Sequence, residues 1–183
     1  MITDKDRSYY IGASDTDFVV GNWRTRSWLH WWTQKLGVNR DHLENRYMKA
    51  GNRYEHRILQ ALGIPGLKLD EQIINEHLRL RVNYDGTTGD CVYECKTFRK
   101  ENGFRLTPKH IRQVRVQMFA KGVRKAKVVA YGLEPVDYQD MNRPIDPGRI
   151  LMLDVEYDAN WIQREYLPKL QVLAQHLKQG TTP

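Results

Sequence analysis

The stretch from Leu78 to Thr97 constrains the fold of this chain more than any other. Leu78, Leu80 and Val82 alternate with Arg79, Arg81 and Asn83, the period-two pattern of a strand with one apolar face, and Asp85 continues the polar series. Gly86-Thr87-Thr88-Gly89-Asp90 has the composition of a turn, and Cys91 to Thr97 reads as a second strand, so the segment is a hairpin. Residues two apart on a strand share a face: Glu94 and Lys96 take one side, and Cys91, Tyr93 and Cys95 the other. Closing the hairpin then brings Asp85, Glu94 and Lys96 together.

The flanking patterns set the fold class. Glu55, Ile58, Leu59 and Leu62 fall at i, i+3, i+4 and i+7 in a helix over about 45–62, stopped by Gly63. After Pro108 a helix runs through about Lys121 with Ile111, Val114 and Met118 on one stripe. Lys127 to Leu133 and Arg149 to Val155 read as strands, separated by a surface loop over 134–148 with three prolines. A last helix, N-capped by Asp158, runs toward Lys178 and is kinked or split by Pro168. The pattern predicts a single α/β (α+β) layered domain over 1–183, with a flexible tail at 179–183.

Composition excludes several classes. The 183 residues are 40% hydrophobic with 10 Tyr and 5 Trp, too apolar and aromatic for a disordered chain. No apolar run approaches membrane-span length, and Asp4, Lys5, Asp6 and Arg7 stand where a signal peptide needs hydrophobes. The expectation is no membrane contact and a cytoplasmic location. Cys91 and Cys95 are the only cysteines, too few for an iron–sulfur cluster, and fit a reducing compartment. A net charge of +7 favours a polyanionic partner, and residues 109–127 hold seven Lys and Arg without an acid, which reads as a phosphate-facing surface.

Two carboxylates beside one amine suit a Mg²⁺ site, because hard oxygen ligands bind the ion and Lys96 is placed to stabilise charge at a phosphate. A cross-strand salt bridge is the simpler alternative for these three residues alone. Glu55 adds weight to the metal reading: it occupies an apolar stripe, where an inward carboxylate needs either a metal or a buried arginine. His110, Gln113 and Gln117 share one helical stripe, placed to hydrogen-bond a phosphate or a water, or to face solvent. Trp23, Trp28, Trp31 and Trp32 read as core or interface packing, with base stacking as the alternative.

Arg7 and Ser14 in RSYYIGASD, Glu55 in AGNRYEHRIL, Asp85 in NYDG, Glu94 and Lys96 in YECK, and Gln113 in HIRQVRVQMF together resemble the PD-(D/E)XK nucleases, within them the phage lambda exonuclease-like and YqaJ-type viral recombinase family. The resemblance implies a central mixed β-sheet flanked by helices, a restriction-endonuclease-like core, and Mg²⁺-dependent digestion of double-stranded DNA from the 5′ end, with one or two Mg²⁺ (or Mn²⁺) ions. By the same resemblance Asp85, Glu94 and the backbone carbonyl of Cys95 are metal ligands, Lys96 is the catalytic lysine and Glu55 the helix carboxylate. Arg7, Ser14 and Gln113 are similar to residues that hold the terminal 5′ phosphate, with Asn83 offering another polar group, His110 one turn before Gln113 and Gln117 one turn after it. Tyr84 stands where the family has its proline. The implied partners are duplex DNA ends, a single-strand annealing protein, and further copies of the chain in a trimer. The rival readings are an endonuclease on the same core and a non-catalytic DNA-binding recombination accessory protein.

Overall fold

The hairpin forms, and it is part of a larger sheet. The computed structural model describes residues 8–38 and 46–183, with the backbone alone at 46–50 and 52. Arg7 lies outside the described residues. In chain order the elements are α1 (Thr16–Val20), α2 (Arg26–Lys35), α3 (Arg46–Ala61), β1 (Lys68–Asn75), β2 (Leu80–Thr87), β3 (Cys91–Arg99), α4 (Pro108–Lys121), β4 (Lys125–Leu133), β5 (Ile150–Asp154), α5 (Ala159–Trp161) and α6 (Leu167–Gln179). Among the described residues the sheet has five strands in the order β1-β2-β3-β4-β5. Only β3 and β4 run parallel, and α4 is the crossover that a parallel pair requires. The chain is thus of the α/β class, with a mixed sheet flanked by helices.

Local chemistry explains the elements next to the site. Thr107 caps α4 by accepting from the His110 N–H, Pro108 occupies the first turn where its missing N–H costs nothing, and Gly122 ends the helix at φ 76°. The β2–β3 ladder holds only at Gly86 with Tyr93 and Thr87 with Val92, so the strands part just where Asp85 and Glu94 sit. A side chain at Gly86 would meet Leu59 and Leu67 methyl groups at 3.1 Å, which shows how closely α3 approaches this end of the sheet.

The sheet separates two apolar layers. Tyr54, Ile58 and Leu59 of α3 pack on Cys91, Tyr93, Cys95, Val129, Tyr131 and Leu133. The larger layer joins Val92 and Val128 to α4, to Leu170, Leu173 and Leu177 of α6, and to the tryptophans of α2. Trp28, Trp31 and Trp32 are 5% exposed or less, and Trp28 stacks on Trp32 at 5.4 Å, so they are core. Each of their indole N–H groups has an acceptor: Phe18 O, Asp15 Oδ1 and Thr181 O respectively. Thr181, in the segment read as a tail, therefore touches the core.

Several sequence expectations change. Strand β1 was not visible in the pattern; its charged alternation, with half-buried Leu69, Glu71 and Ile73, is that of an edge strand. Leu78 and Arg79 lie in the turn before β2, with Arg79 at φ 48°. Pro168 divides the last helix, and the turn before it widens over Ile162–Tyr166 to a π-type turn. The cationic run at 109–127 is mostly paired within the molecule: Arg112 with Asp17, Arg115 with Asp158, Lys121 with Glu71, Lys125 with Asp90 and Lys127 with Asp154. Arg124 covers the Tyr157 ring. The balancing acids come from other elements, so much of the charge of the run is compensated within the molecule.

Candidate active site

The site lies in the fork where β2 and β3 diverge, between α3 on one side and α4 on the other. Without a ladder partner at this point, the Cys95 N–H donates to Asp85 Oδ2 at 2.7 Å, so a carboxylate takes the place of a strand carbonyl. Glu94 is 2% exposed. Its Oε1 accepts from Lys96 Nζ and from Gln113 Nε2, each at 2.5 Å, and its Oε2 accepts from Gln117 Nε2. Strand alternation points Glu94 and Lys96 toward α4, and the i, i+4 spacing of the two glutamines supplies one amide to each carboxylate oxygen.

Glu55 reaches the fork from α3, one turn before the fully buried Ile58 and Leu59. Its carboxyl is near enough to Glu94 and Asp85 to respond to both electrostatically. Burial, followed by the negative charge of Glu94, pushes the Glu55 carboxyl above its ordinary range. Asp85 is pushed well up for the same reasons, with Glu55 adding to the repulsion, while the Cys95 N–H and Lys96 oppose it. For Lys96, burial acts to lower the amine, but the charge and hydrogen bond of Glu94, with Asp85 behind them, outweigh it and raise the group. Three acids crowded around one amine form a centre short of positive charge. On the outer side of Glu55, His56 Nε2 and Asp70 Oδ1 are 3.0 Å apart, and one ligand atom from each of Glu55, His56 and Asp70 lies within 4.8 Å of the others.

The structure brings together Glu55, Asp85, Glu94, Cys95, Lys96, Gln113 and Gln117. His110 stands at the start of α4, stacked on Phe104; burial and then the Lys96 charge hold its imidazole below the usual value. Gln117 is 1% exposed, so its amide serves Glu94 from inside the core rather than from the surface.

Ser14 and Asn83 meet elsewhere, in the wall of a cavity of about 210 Å³ shared with Tyr10, Asp15, Lys35 and Arg81. Asn83 links the two places, because its carbonyl lies 3.5 Å from Gln117 Nε2. Lys35 and Arg81 were not singled out in the sequence. Both are buried, Lys35 against Asp15 at 2.6 Å and Arg81 beside the Tyr10 ring at 5.7 Å. The one available signal was Arg81 between Leu80 and Val82, where the strand pattern predicts an ordinary solvent-facing arginine.

No family model matches this sequence, and no curated protein matches it. Solved structures do. An alkaline exonuclease from Laribacter hongkongensis, LHK-Exo, aligns over 96% of this chain and 91% of its own, with TM-score 0.70 and 19% identity. A structure of LHK-Exo in complex with dAMP gives TM-score 0.69 at 18% identity over 94% and 90% of the two chains. A phage-related exonuclease from Haemophilus somnus 129PT gives TM-score 0.64 at 13% identity over 96% and 98%. Over nearly its whole length, this chain has the fold of these exonuclease structures.

Proposed function

We propose that the chain is a metal-dependent deoxyribonuclease of the phage lambda exonuclease-like and YqaJ-type family, hydrolysing linear duplex DNA from the 5′ end. The observation that carries this reading is the fork of the sheet in which Asp85 takes the Cys95 N–H beside the Glu94–Lys96 pair, with Glu55 electrostatically coupled to it from α3, on a fold shared with exonuclease structures.

The donor set fits a divalent cation. It is all oxygen, which suits Mg²⁺ or Mn²⁺, and repulsion among the acids is what a cation would relieve. Asp85 and Glu94, with the Cys95 carbonyl, would hold one or two ions. A bound ion supplies neutralisation of phosphate charge and a lowered pKa for water.

The protein groups have separable tasks. Lys96, charged and fixed on Glu94, stabilises negative charge gathering at the scissile phosphate. Glu55 accepts from and orients the attacking water. Ser14 and Asn83, in the cavity with Lys35 and Arg81, receive the terminal 5′ phosphate, while Gln113 is engaged by Glu94 in the fork. The dAMP bound by LHK-Exo belongs to the product class that such a pocket would release, a deoxynucleoside monophosphate. The same reading gives the chain a place in phage recombination, beside a single-strand annealing protein and as a trimer. No helix among the described residues is long and apolar enough to cross a membrane.

One experiment tests the reading: 5′-phosphorylated linear duplex, 5′-hydroxyl linear duplex and covalently closed circular DNA, each incubated with Mg²⁺. The phosphorylated linear strand should disappear fastest and the closed circle should survive. Lys96→Ala should slow digestion by roughly 10²–10³-fold. Nicking of the circle would make the chain an endonuclease. Digestion by Lys96→Ala at the wild-type rate, or none by wild type with Mg²⁺ or Mn²⁺, would sink the mechanism.

A further inference from the structure

Gln117 is buried in the middle of α4 with both its backbone and its side chain engaged. The Tyr84 hydroxyl donates to its backbone carbonyl at 3.1 Å, and its Nε2 donates to Glu94 Oε2. Its side-chain Oε1 is buried as well, yet it finds no hydrogen-bond donor among the described residues. A buried amide oxygen left without a donor is costly, and a native protein keeps one where that oxygen has a use.

Glu94 indicates the use. Its Oε1 already accepts two donors, Lys96 Nζ and Gln113 Nε2, whereas Oε2 accepts one, from Gln117. The oxygen with room for a further partner is therefore Oε2, and the amide bonded to it carries the orphan acceptor on the same carbon.

We propose that Gln117 is a positioning residue of the acidic centre: it turns Glu94 so that Oε2 faces the divalent ion, and its own Oε1 accepts a hydrogen bond from a water in that ion's hydration shell. The inference rests on the metal-dependent reading above and adds the group that orients its carboxylate ligand. Mg²⁺ and Mn²⁺ suit it because Mg²⁺ in particular keeps several of its waters when bound to protein. An amide is the fitting group, since it donates to one oxygen and accepts from another without a charge. A glutamate would add a fourth acid to Glu55, Asp85 and Glu94.

The test separates positioning from simple packing. Gln117→Met keeps the length of the side chain and removes both polar atoms. Titration calorimetry, run where both proteins are folded, should show Mn²⁺ binding weakened on the order of 10- to 100-fold, while the metal-free variant melts lower because the buried Glu94 Oε2 loses its donor. Wild-type Mn²⁺ affinity in Gln117→Met would overturn the proposal. Should that variant fold poorly, the wild type decides by NMR: the Gln117 side-chain amide should shift on Mg²⁺ addition with the same midpoint as the Cys95 backbone amide. A Gln117 amide that stays still while Cys95 shifts overturns the proposal and leaves the metal site standing. A wild type that binds neither ion removes the metal reading itself.

Discussion

Glu71 is the acid whose surroundings a pH titration can read most directly. Lys121 Nζ donates to its Oε2 at 2.8 Å, the Thr87 hydroxyl donates to the same oxygen, and Lys68 lies 3.7 Å from Oε1. The Lys121 hydrogen bond, then that of Thr87, brings the carboxyl down from 4.5 to about 2. A folded-state value below the unfolded one means that this acid stabilises fully above about pH 4.5 and loses its contribution as pH falls toward 2. Lys121→Met should return the carboxyl toward 4.5 and so lower stability at neutral pH. Urea midpoints of the two proteins, measured across the acid range, should differ near neutrality and converge as pH approaches 2. A gap of constant size would assign the effect to the contact of the Lys121 ammonium with the Tyr84 ring, 5.6 Å from Nζ to the ring centre, rather than to the ion pair with Glu71. Glu55 and Asp85 have the opposite sign, because burial and then the charge of Glu94 raise both.

Among the elements, the excursion between β4 and β5 is far more tightly built than its prolines suggest. Asp137 is fully buried and takes Arg149 at 2.6 Å, Arg143 at 3.1 Å and the Glu134 N–H at 2.8 Å. From α3, Tyr54 donates to the Asp137 and Asp140 carbonyls and Arg57 to Met141 O. Asp137→Ala leaves the Arg149 guanidinium, 7% exposed, without its main counter-charge, and should cost about 3–5 kcal/mol in denaturant unfolding. A loss under 1 kcal/mol would mean that Glu134 and Asp146 take over as partners for Arg149. The same excursion shows where sequence reading stops. Period-two and helical patterns report which face of one element is apolar, so they located Glu55, Glu94 and Lys96, with Asp85 following from the hairpin. They carry nothing about which distant acid meets which base. The partners of Arg112, Lys121 and Arg149, the burial of Lys35 and Arg81, and the commitment of Gln117 to Glu94 are all products of tertiary contact. Strand β1 escaped because Lys68, Asp70 and Gln72 outweigh three half-buried positions at a sheet edge.

At the scale of the whole molecule, the fork depends on both apolar layers at once, since Glu55 rides on α3 and the Glu94 clamp on α4. Cys91 and Cys95 belong to the α3 layer, buried at 5% and 7% exposure, and burial pushes both thiols up. They are therefore poor nucleophiles in the folded state and react with a thiol reagent only when that layer opens. Leu170, fully buried in α6, lies in the opposite layer. Leu170→Ala should cost about 2–5 kcal/mol there. If the sheet couples the two layers into one cooperative unit, that loss is transmitted to the cysteines, and their labelling should accelerate roughly thirtyfold or more. Labelling at the wild-type rate in a demonstrably destabilised Leu170→Ala would show that α3 opens on its own. Glu55 would then leave the fork whenever α3 opened, while Lys96, Gln113 and Gln117 kept their grip on Glu94.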